Sequence, residues 1–290
     1  MSSAKRSTPS SEGHLAVVAT PIGNLGDITL RALDVLRGCD LILAEDTRNT
    51  RALCAAHGVD RPVQRVDDHV VRARLDELLG RLLAGERLAL VSDAGTPLVS
   101  DPGAPLVRAA LEAGVTVEAL PGASAVLVAL VVSGFGGGGF RFVGFLPREG
   151  PPRRAALAAI ARDPLPTVLY ESPERVVDTV RDLAEVCGDD RPASVSRELT
   201  KRFEETLRGP LGELRARITA ALRGEVAVVV SGCATQDDAS VDDLDAALDQ
   251  AIAAGMRPSE AAREVARALG LKRAEVYARA LRRAELRGGA

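Results

Sequence analysis

Short apolar runs that alternate with amphipathic stretches most strongly limit what this 290-residue chain can fold into. Four such runs occupy residues 15–20, 41–44, 87–92 and 115–120. This alternation is typical of βα units around a mainly parallel sheet. Segments 28–36 and 70–83 between the runs carry leucines on one helical face. We therefore predict a first α/β domain with helices on both sides of the sheet, a three-layer sandwich.

A glycine-rich segment, GFGGGG at 134–139, interrupts this pattern. So many glycines cannot hold a helix or strand without a large entropic cost, and we predict a hinge there. A second alternating set follows, with strands at 140–146, 167–172, 193–199 and 225–231 and helices near 153–160, 174–186 and 211–222. The predicted fold class is α/β, with two α/β domains and a small helical domain at the C-terminus.

The C-terminal part of the chain has helical periodicity and an uneven charge. Predicted helices occupy 244–254, 259–269 and 272–286, with Ser259 placed to cap the second, as in a helix-turn-helix. Residues 255–290 hold nine Lys or Arg against four Glu, a composition suited to contacting phosphates. A three-helix bundle used for packing or dimerisation is the alternative. The predicted divisions are a disordered tail at 1–13, domains at 14–136 and 137–234, and the helical domain at 240–288.

Composition excludes several classes of protein. The longest apolar run, 123–132, is far below the about 20 residues that cross a bilayer, and no signal-like apolar region follows the N-terminal tail. We therefore expect a cytoplasmic protein without a membrane span. The four cysteines lack CxxC spacing, and the three histidines lie at no ligand spacing from one another or from a cysteine. Reduced structural thiols and a metal-free mechanism are expected.

Turns of small residues follow several of the predicted strands. Three belong to the first domain, at 20–27, 92–103 and 120–125. Open α/β sheets bind ligands at the carboxyl ends of their strands, so these turns predict a pocket, with Asp93 as its principal acid. The turn at 20–27 departs from the GxGxxG dinucleotide fingerprint, which disfavours a nicotinamide-dependent oxidoreductase.

Two polar motifs, YESP at 170–173 and SRELTK at 196–201, end strands of the second domain in the same way. Glu171 and Glu198 are predicted to face the cleft between the domains, with Lys201 or Arg197 available to hold a phosphate. A salt-bridged structural role for Glu198 is the alternative.

A series of motifs carries a resemblance to a known family. In chain order they are ATPIGNLGDITLRALDVLRGCDLILAEDTRNT, LVSDAGTPLVSDPG, LPGASA, GFLPR, YESPERV and SRELTK. Across residues 14–232 the chain resembles the bacterial 16S ribosomal RNA cytidine 2'-O-methyltransferases of the tetrapyrrole methylase superfamily. The resemblance implies a homodimer that binds S-adenosylmethionine between its two α/β domains. It also implies that the methyl acceptor is a cytidine ribose in 16S ribosomal RNA of the small ribosomal subunit.

The resemblance also implies the residues around the cofactor. They are Pro21, Gly23, Asp93, Thr96, Leu98, Ser124, Ala125 and Tyr170. Precorrin-type relatives carry a GDP triplet where this chain has Ser92, Asp93 and Ala94, so the acid transfers more safely than the loop geometry.

A ribose 2'-hydroxyl is a weak acid, and a base or a cation near the developing oxyanion would help its methylation. The candidates are Glu171, Glu198 and Lys201, together with Asp46 and Arg48. The nearest rival function is a small-molecule methyltransferase of the tetrapyrrole type, which has no need of a basic helical domain. A non-catalytic RNA-binding adaptor is a further alternative.

Overall fold

The structure, a computed structural model, describes residues 13–67, 73–99, 103–233, 241–269 and 273–288. The predicted disordered tail, apart from Gly13, and the first residues of the helix predicted at 70–83 lie outside these ranges.

The first sheet consists of five parallel strands in the order β3-β2-β4-β1-β5. They are β1 (His14–Val18), β2 (Leu41–Ala44), β3 (Val63–Arg65), β4 (Arg87–Val91) and β5 (Thr116–Leu120). Alternate residues of β1 enter separate clusters, Leu15 on one face and Ala16 and Val18 on the other. Because both faces are covered, the central strands β1, β2 and β4 carry continuous buried apolar runs, whereas the edge strands β3 and β5 include polar residues.

In the described ranges, four helices cover this sheet and complete the predicted three layers. They are α1 (Leu30–Gly38), α2 (Thr47–Ala56), α3 (Leu75–Leu83) and α4 (Ala104–Glu112). α1 and α2 contribute Leu36 and Cys54 to one cluster, whereas α3 and α4 contribute Leu78 and Leu106 to the other. α1 begins after Thr29, whose Oγ1 accepts a hydrogen bond from Ala32 N at 3.1 Å, the usual N-cap interaction.

The second sheet is mixed, with the order β6-β7-β10-β8-β9. Its strands are β6 (Arg141–Phe145), β7 (Thr167–Glu171), β8 (Pro192–Arg197), β9 (Glu205–Pro210) and β10 (Val226–Val230). Only β6 and β7 pair in parallel. β6, β7, β8 and β10 occupy the strand positions predicted from the sequence, whereas β9, an edge strand, was not predicted.

Helices lie on both faces of the second sheet. They are α5 (Ala125–Ser133), α6 (Gly150–Arg162), α7 (Val176–Cys187) and α8 (Leu211–Arg217). α8 ends at Arg217, five residues before the predicted end at 222. α5 precedes the glycine-rich segment in sequence, yet its Val126 and Leu130 pack with Val168 and Val229 of the second sheet. The chain therefore passes to the second sheet before the glycines, and the predicted domain limits stay a prediction.

Three C-terminal helices form a separate small core. They are α9 (Val241–Ala253), α10 (Pro258–Leu269) and α11 (Arg273–Gly288). Leu248, Val265 and Val276 meet in this core. The prediction that Ser259 caps α10 is wrong, because the helix already begins at Pro258, whose missing N–H costs nothing in a first turn. Among the described residues, no helix is long and apolar enough to cross a membrane.

Candidate active site

The turns after β1, β4 and β5 lie together, because these three strands are neighbours in the first sheet. Thr20 and Gly95 form a two-way backbone bridge, with N···O distances of 2.9 and 3.0 Å. Thr20 Oγ1 donates a further hydrogen bond to Ser92 O at 3.0 Å. A Cβ on Gly122 would come within 2.7 Å of Ala19 Cβ, so the third turn needs glycine to approach the first.

A cleft of about 420 Å³ opens beside these turns and is lined from both sheets. Six of the predicted site residues line it: Asp93, Thr96, Ser124, Ala125, Tyr170 and Glu171. The other lining residues were not named individually from the sequence, although Ile22, Ala94, Gly95, Val99, Ser172, Pro173 and Leu199 lie in turns or motifs that were; the rest are Phe145, Gly224, Glu225, Val226 and Ala227. Phe145 lies within GFLPR, one of the family motifs, which was the available signal. The segment from Gly224 to Ala227 had none, since it reads as the start of a buried strand.

Asp93 lies beside the N-terminus of α2. Its Oδ1 accepts a hydrogen bond from Asp46 N at 2.9 Å. Asp46 caps α2 by accepting from Arg48 N at 2.8 Å, and it also binds the Arg48 guanidinium, with Nη2 2.6 Å from Oδ2. These hydrogen bonds from Arg48 lower the pKa of Asp46 to about 2. The exposed Arg48 is thereby anchored next to Asp93.

Aromatic rings form part of the wall on the second sheet. Tyr170 packs edge-on against Phe142, with ring centroids 5.0 Å apart, and its centroid lies 5.7 Å from that of Phe145. Phe145 lines the cleft and is 56% exposed. Such a wall suits a flat, partly apolar ligand group.

The Glu171 side chain has no exposed surface, although the residue lines the cleft. Its Oε1 accepts from Ser172 N at 2.8 Å and lies 3.3 Å from Arg175 Nε. Its Oε2 accepts from Thr179 Oγ1 at 2.6 Å, and Thr179 Oγ1 also accepts from Arg153 Nη2 at 3.1 Å. Arg175 Nη2 in turn donates to the Leu146 carbonyl at 2.8 Å. The carboxylate therefore joins the segment after β7 to α7 and to the segment after β6.

Glu198 and Lys201 are not among the residues that line the cleft, but they form a charged cluster with the lining residue Glu225. Lys201 Nζ lies 2.9 Å from Glu198 Oε1 and 3.0 Å from Glu225 Oε2. The hydrogen bond from Lys201 lowers the pKa of Glu198. Burial by itself lowers the pKa of Lys201, but the hydrogen bonds to Glu198 and Glu225 outweigh it and raise the pKa. Both groups stay charged at neutral pH.

Backbone strain marks the same turn. Glu198 and Thr200 have φ of 51° and 66°, values that non-glycine residues rarely adopt and that cluster at functional sites. Gly224 has φ of 84° and lies against the Glu198 carboxylate, where a Cβ would have no room. The Glu198 side chain therefore depends on a glycine in the strand connection opposite.

Pro21, Gly23 and Leu98 do not line the cleft directly. Pro21 is buried, and Gly23 lies under the Lys201 side chain. Leu98 packs its side chain against the core of the first sheet, and its backbone has φ of 71°. Any contact from Leu98 to a ligand would therefore come from its backbone. No group of three potential metal ligands occurs in the part of the chain that the structure describes.

Two comparisons with known sequences cover most of the chain. Residues 14–215 match the family described as Tetrapyrrole (Corrin/Porphyrin) Methylases, and residues 238–284 match the RsmI C-terminal HTH domain. Proteins called Ribosomal RNA small subunit methyltransferase I are similar at high coverage. The Micromonospora olivasterospora protein is 48% identical over 222 residues, which is 76% of this chain and 71% of that protein. The Mycobacterium tuberculosis protein is 41% identical over 282 residues, or 96% of this chain and 98% of that protein.

Solved structures with the same fold are more distant in sequence. The methyltransferase CobJ is 21% identical, with a TM-score of 0.58 over 77% of this chain and 96% of its own. Uroporphyrin-III C-methyltransferase from Thermus thermophilus, complexed with S-adenyl homocysteine, is 20% identical, with a TM-score of 0.53 over 75% of this chain and 97% of its own. At these identities the likeness concerns the fold.

Proposed function

We propose a reaction for this chain, which belongs to the tetrapyrrole (corrin/porphyrin) methylase family and within it to the small-subunit ribosomal RNA methyltransferases I. The chain transfers a methyl group from S-adenosylmethionine to the ribose 2'-hydroxyl of a cytidine in 16S ribosomal RNA. One observation carries the proposal: the cleft of about 420 Å³ has Asp93 on one wall and Tyr170 on the other. A small-molecule acceptor is not favoured, because the closely related chains are ribosomal RNA enzymes by name.

The residues of the cleft fit S-adenosylmethionine. The volume of the cleft falls within the roughly 300–1,000 Å³ of ligand sites. The turns around the cleft contain glycines at positions that leave little room for a side chain. We assign Asp93 to the polar groups of the donor and Tyr170 to its flat base, with Thr96, Ser124 and Ala125 on the same wall as Asp93. Pro21, Gly23 and Leu98 are proposed to act through the backbone around that wall.

S-adenosylmethionine, when bound, supplies a methyl group on a good sulfonium leaving group, and the protein has mainly to align the acceptor oxygen with it. We assign Lys201 to the acceptor side, where its retained positive charge would stabilise the developing oxyanion. Glu198, whose Oε1 lies 2.9 Å from Lys201 Nζ, is the candidate acceptor for the hydroxyl proton. Glu171 is assigned a positioning role, because its oxygens already accept hydrogen bonds and its side chain is buried.

The RNA is proposed to be held by the C-terminal helices and by charges around the cleft, including Arg48. Arg263 and Arg267 lie on the exposed side of α10, one helical turn apart. Arg279 and Arg283 are instead bound to Asp245 and Asp249 of α9, so only part of the basic composition is available for phosphates. The small ribosomal subunit is the proposed context.

A cytoplasmic homodimer is the proposed working form. α5 is apolar on every side, and Leu127 and Val131 on its outer face are 51% and 75% exposed. An exposed apolar helix face of this kind is suited to a second copy of the chain. Light scattering coupled to gel filtration of the wild type and of Val131→Glu tests this assignment, and a monomeric wild type contradicts it.

The decisive experiment supplies methyl-labelled S-adenosylmethionine together with small ribosomal subunits that lack the modification. Label in 16S ribosomal RNA at one cytidine ribose is the expected result, located by primer extension and by nuclease resistance of the 2'-O-methylated linkage. Naked 16S RNA and a tetrapyrrole such as uroporphyrinogen III serve as alternative acceptors. Label on the tetrapyrrole alone, or at a base, would overturn the proposal.

A further inference from the structure

The turn between β8 and β9 presents an exposed aromatic ring. Phe203 keeps 63% of its surface exposed. The guanidinium of Arg202 lies over its ring, with Cζ 5.5 Å from the centroid. The chain holds only five phenylalanines and two tyrosines, so an aromatic residue on an exposed turn is unusual and suggests a function for the ring.

This turn is held in a fixed conformation. Lys201 N donates to Glu198 O at 3.0 Å, and Glu204 N donates to Lys201 O at 3.1 Å. Thr200 N donates to Glu204 Oε2 at 2.6 Å. Both Glu198 and Thr200 have positive φ. Because hydrogen bonds fix the backbone on both sides of Phe203, at Thr200, Lys201 and Glu204, the exposed ring belongs to an ordered turn.

The turn also adjoins the cleft. Leu199 lines it, and Lys201 Nζ is hydrogen-bonded to the lining residue Glu225. The Lys201 side chain also packs over Gly23, which belongs to the turn after β1 in the first sheet. Phe203 therefore lies two residues after Lys201, the lysine that contacts the turn after β1.

We infer that Phe203, with the Arg202 guanidinium over its ring, is a platform for an unpaired RNA base next to the methylated nucleotide. The inference rests on the proposed function. Single-stranded RNA is recognised mainly by stacking of splayed bases on aromatic rings and guanidinium planes, with cationic side chains near the phosphates. The turn supplies a flat ring, a guanidinium on it and an ammonium two residues away, which is the chemistry of a nucleotide contact.

The test compares Phe203→Ala, Phe203→Leu and Phe203→Trp with the wild type on unmodified small ribosomal subunits. The matched control is Leu111→Ala, which removes an apolar side chain of similar exposure, 59%, from α4. We expect KM for the subunit to rise roughly 5- to 100-fold in Phe203→Ala and Phe203→Leu. Phe203→Trp and Leu111→Ala should behave as wild type, and KM for S-adenosylmethionine should stay constant in all four variants.

Three results would overturn the inference. The first is a wild-type KM for the subunit in Phe203→Ala, and the second is full rescue by leucine, which would indicate apolar packing without stacking. The third is a change of oligomeric state in Phe203→Ala by light scattering, which would assign the ring to a contact between copies. A wild type that neither binds nor methylates the subunit would instead refute the proposed function, and this inference with it.

Discussion

Lys201 lies directly across Gly23, so that a Cβ at position 23 would collide with the lysine Cγ. The two residues come from the first turn of one sheet and the strained turn of the other, and each adjoins a residue that lines the cleft, Ile22 next to Gly23 and Glu225 hydrogen-bonded to Lys201. A residue larger than glycine is accommodated only if the Lys201 side chain shifts, which would strain its hydrogen bonds to Glu198 and Glu225.

Gly23→Ala should therefore disturb Lys201. We expect a loss of about 1–3 kcal/mol in the free energy of unfolding from overpacking, and a fall in kcat as the ammonium is displaced. Chemical denaturation and single-turnover methyl transfer measure these effects. In a double-mutant cycle, Gly23→Ala should cost less stability when Lys201→Ala is already present, with a coupling of roughly 0.5–3 kcal/mol. If the stability losses of Gly23→Ala and Lys201→Ala simply add in the double variant, the contact does not contribute to stability.

Asp93→Ala is expected to weaken binding of S-adenosylhomocysteine by roughly 10- to 100-fold, the usual effect of removing a hydrogen bond to a charged group. Isothermal titration calorimetry gives the affinity, and Asp34→Ala on the exposed side of α1 is the matched control. The loss of Asp93 also removes the acceptor for Asp46 N, so Asp93→Asn, which retains an acceptor oxygen, should bind more tightly than Asp93→Ala. Wild-type affinity in Asp93→Ala would discard the assigned role.

Variants of Glu171 test whether this residue positions other groups or acts as a catalytic acid or base. Removing one member of a buried charged network leaves the others uncompensated, so Glu171→Ala should cost about 3–5 kcal/mol of unfolding free energy. Glu171→Gln keeps the shape and should cost less, with kcat reduced modestly and its pH profile unchanged. Thr179→Val, which removes the hydroxyl bound to Oε2, should mimic Glu171→Gln. A Glu171→Gln variant of wild-type stability with almost no activity and an altered pH profile would identify an acid or base instead.

The pH dependence of stability should reveal the Glu198–Lys201 pair. The folded-state pKa of Glu198 is depressed from 4.5, so its contribution is full above that value and is lost as the pH falls through the lowered pKa. The folded-state pKa of Lys201 is raised from 10.5, so its contribution is full below that value and is lost as the pH rises through the raised pKa. The difference in Tm between wild type and Lys201→Met should thus stay constant from about pH 5 to about pH 10. A step in that difference near neutral pH would contradict the assignment.

Four strands of the first sheet, β1, β2, β4 and β5, were predicted because each contains a mostly apolar run, whereas β3 was missed because it is a three-residue edge strand that is only partly buried. β9 was missed because Glu205–Pro210 carries charge and glycine and forms an edge, where packing does not require an apolar run. α2 was missed because its sequence, TRNTRALCAA, buries only a few residues and offers little periodicity. The contact of Lys201 with Gly23 joins distant parts of the chain, and no local pattern encodes it.

Removing residues 240–290 should separate RNA binding from cofactor binding. The core of α9, α10 and α11 is built from the helices' own residues, such as Leu248 and Val276, so the cleft should survive the deletion. We expect unchanged affinity for S-adenosylhomocysteine, weaker binding of the small subunit, and a shallower dependence of that binding on salt, because fewer phosphates are contacted. In the full chain, Arg263→Ala combined with Arg267→Ala should reproduce part of the loss. Equal RNA affinity in the truncated protein would assign the helices to packing or dimerisation. Basic residues that contact no phosphate do not change how RNA affinity depends on salt, so that dependence would then be the same in both proteins.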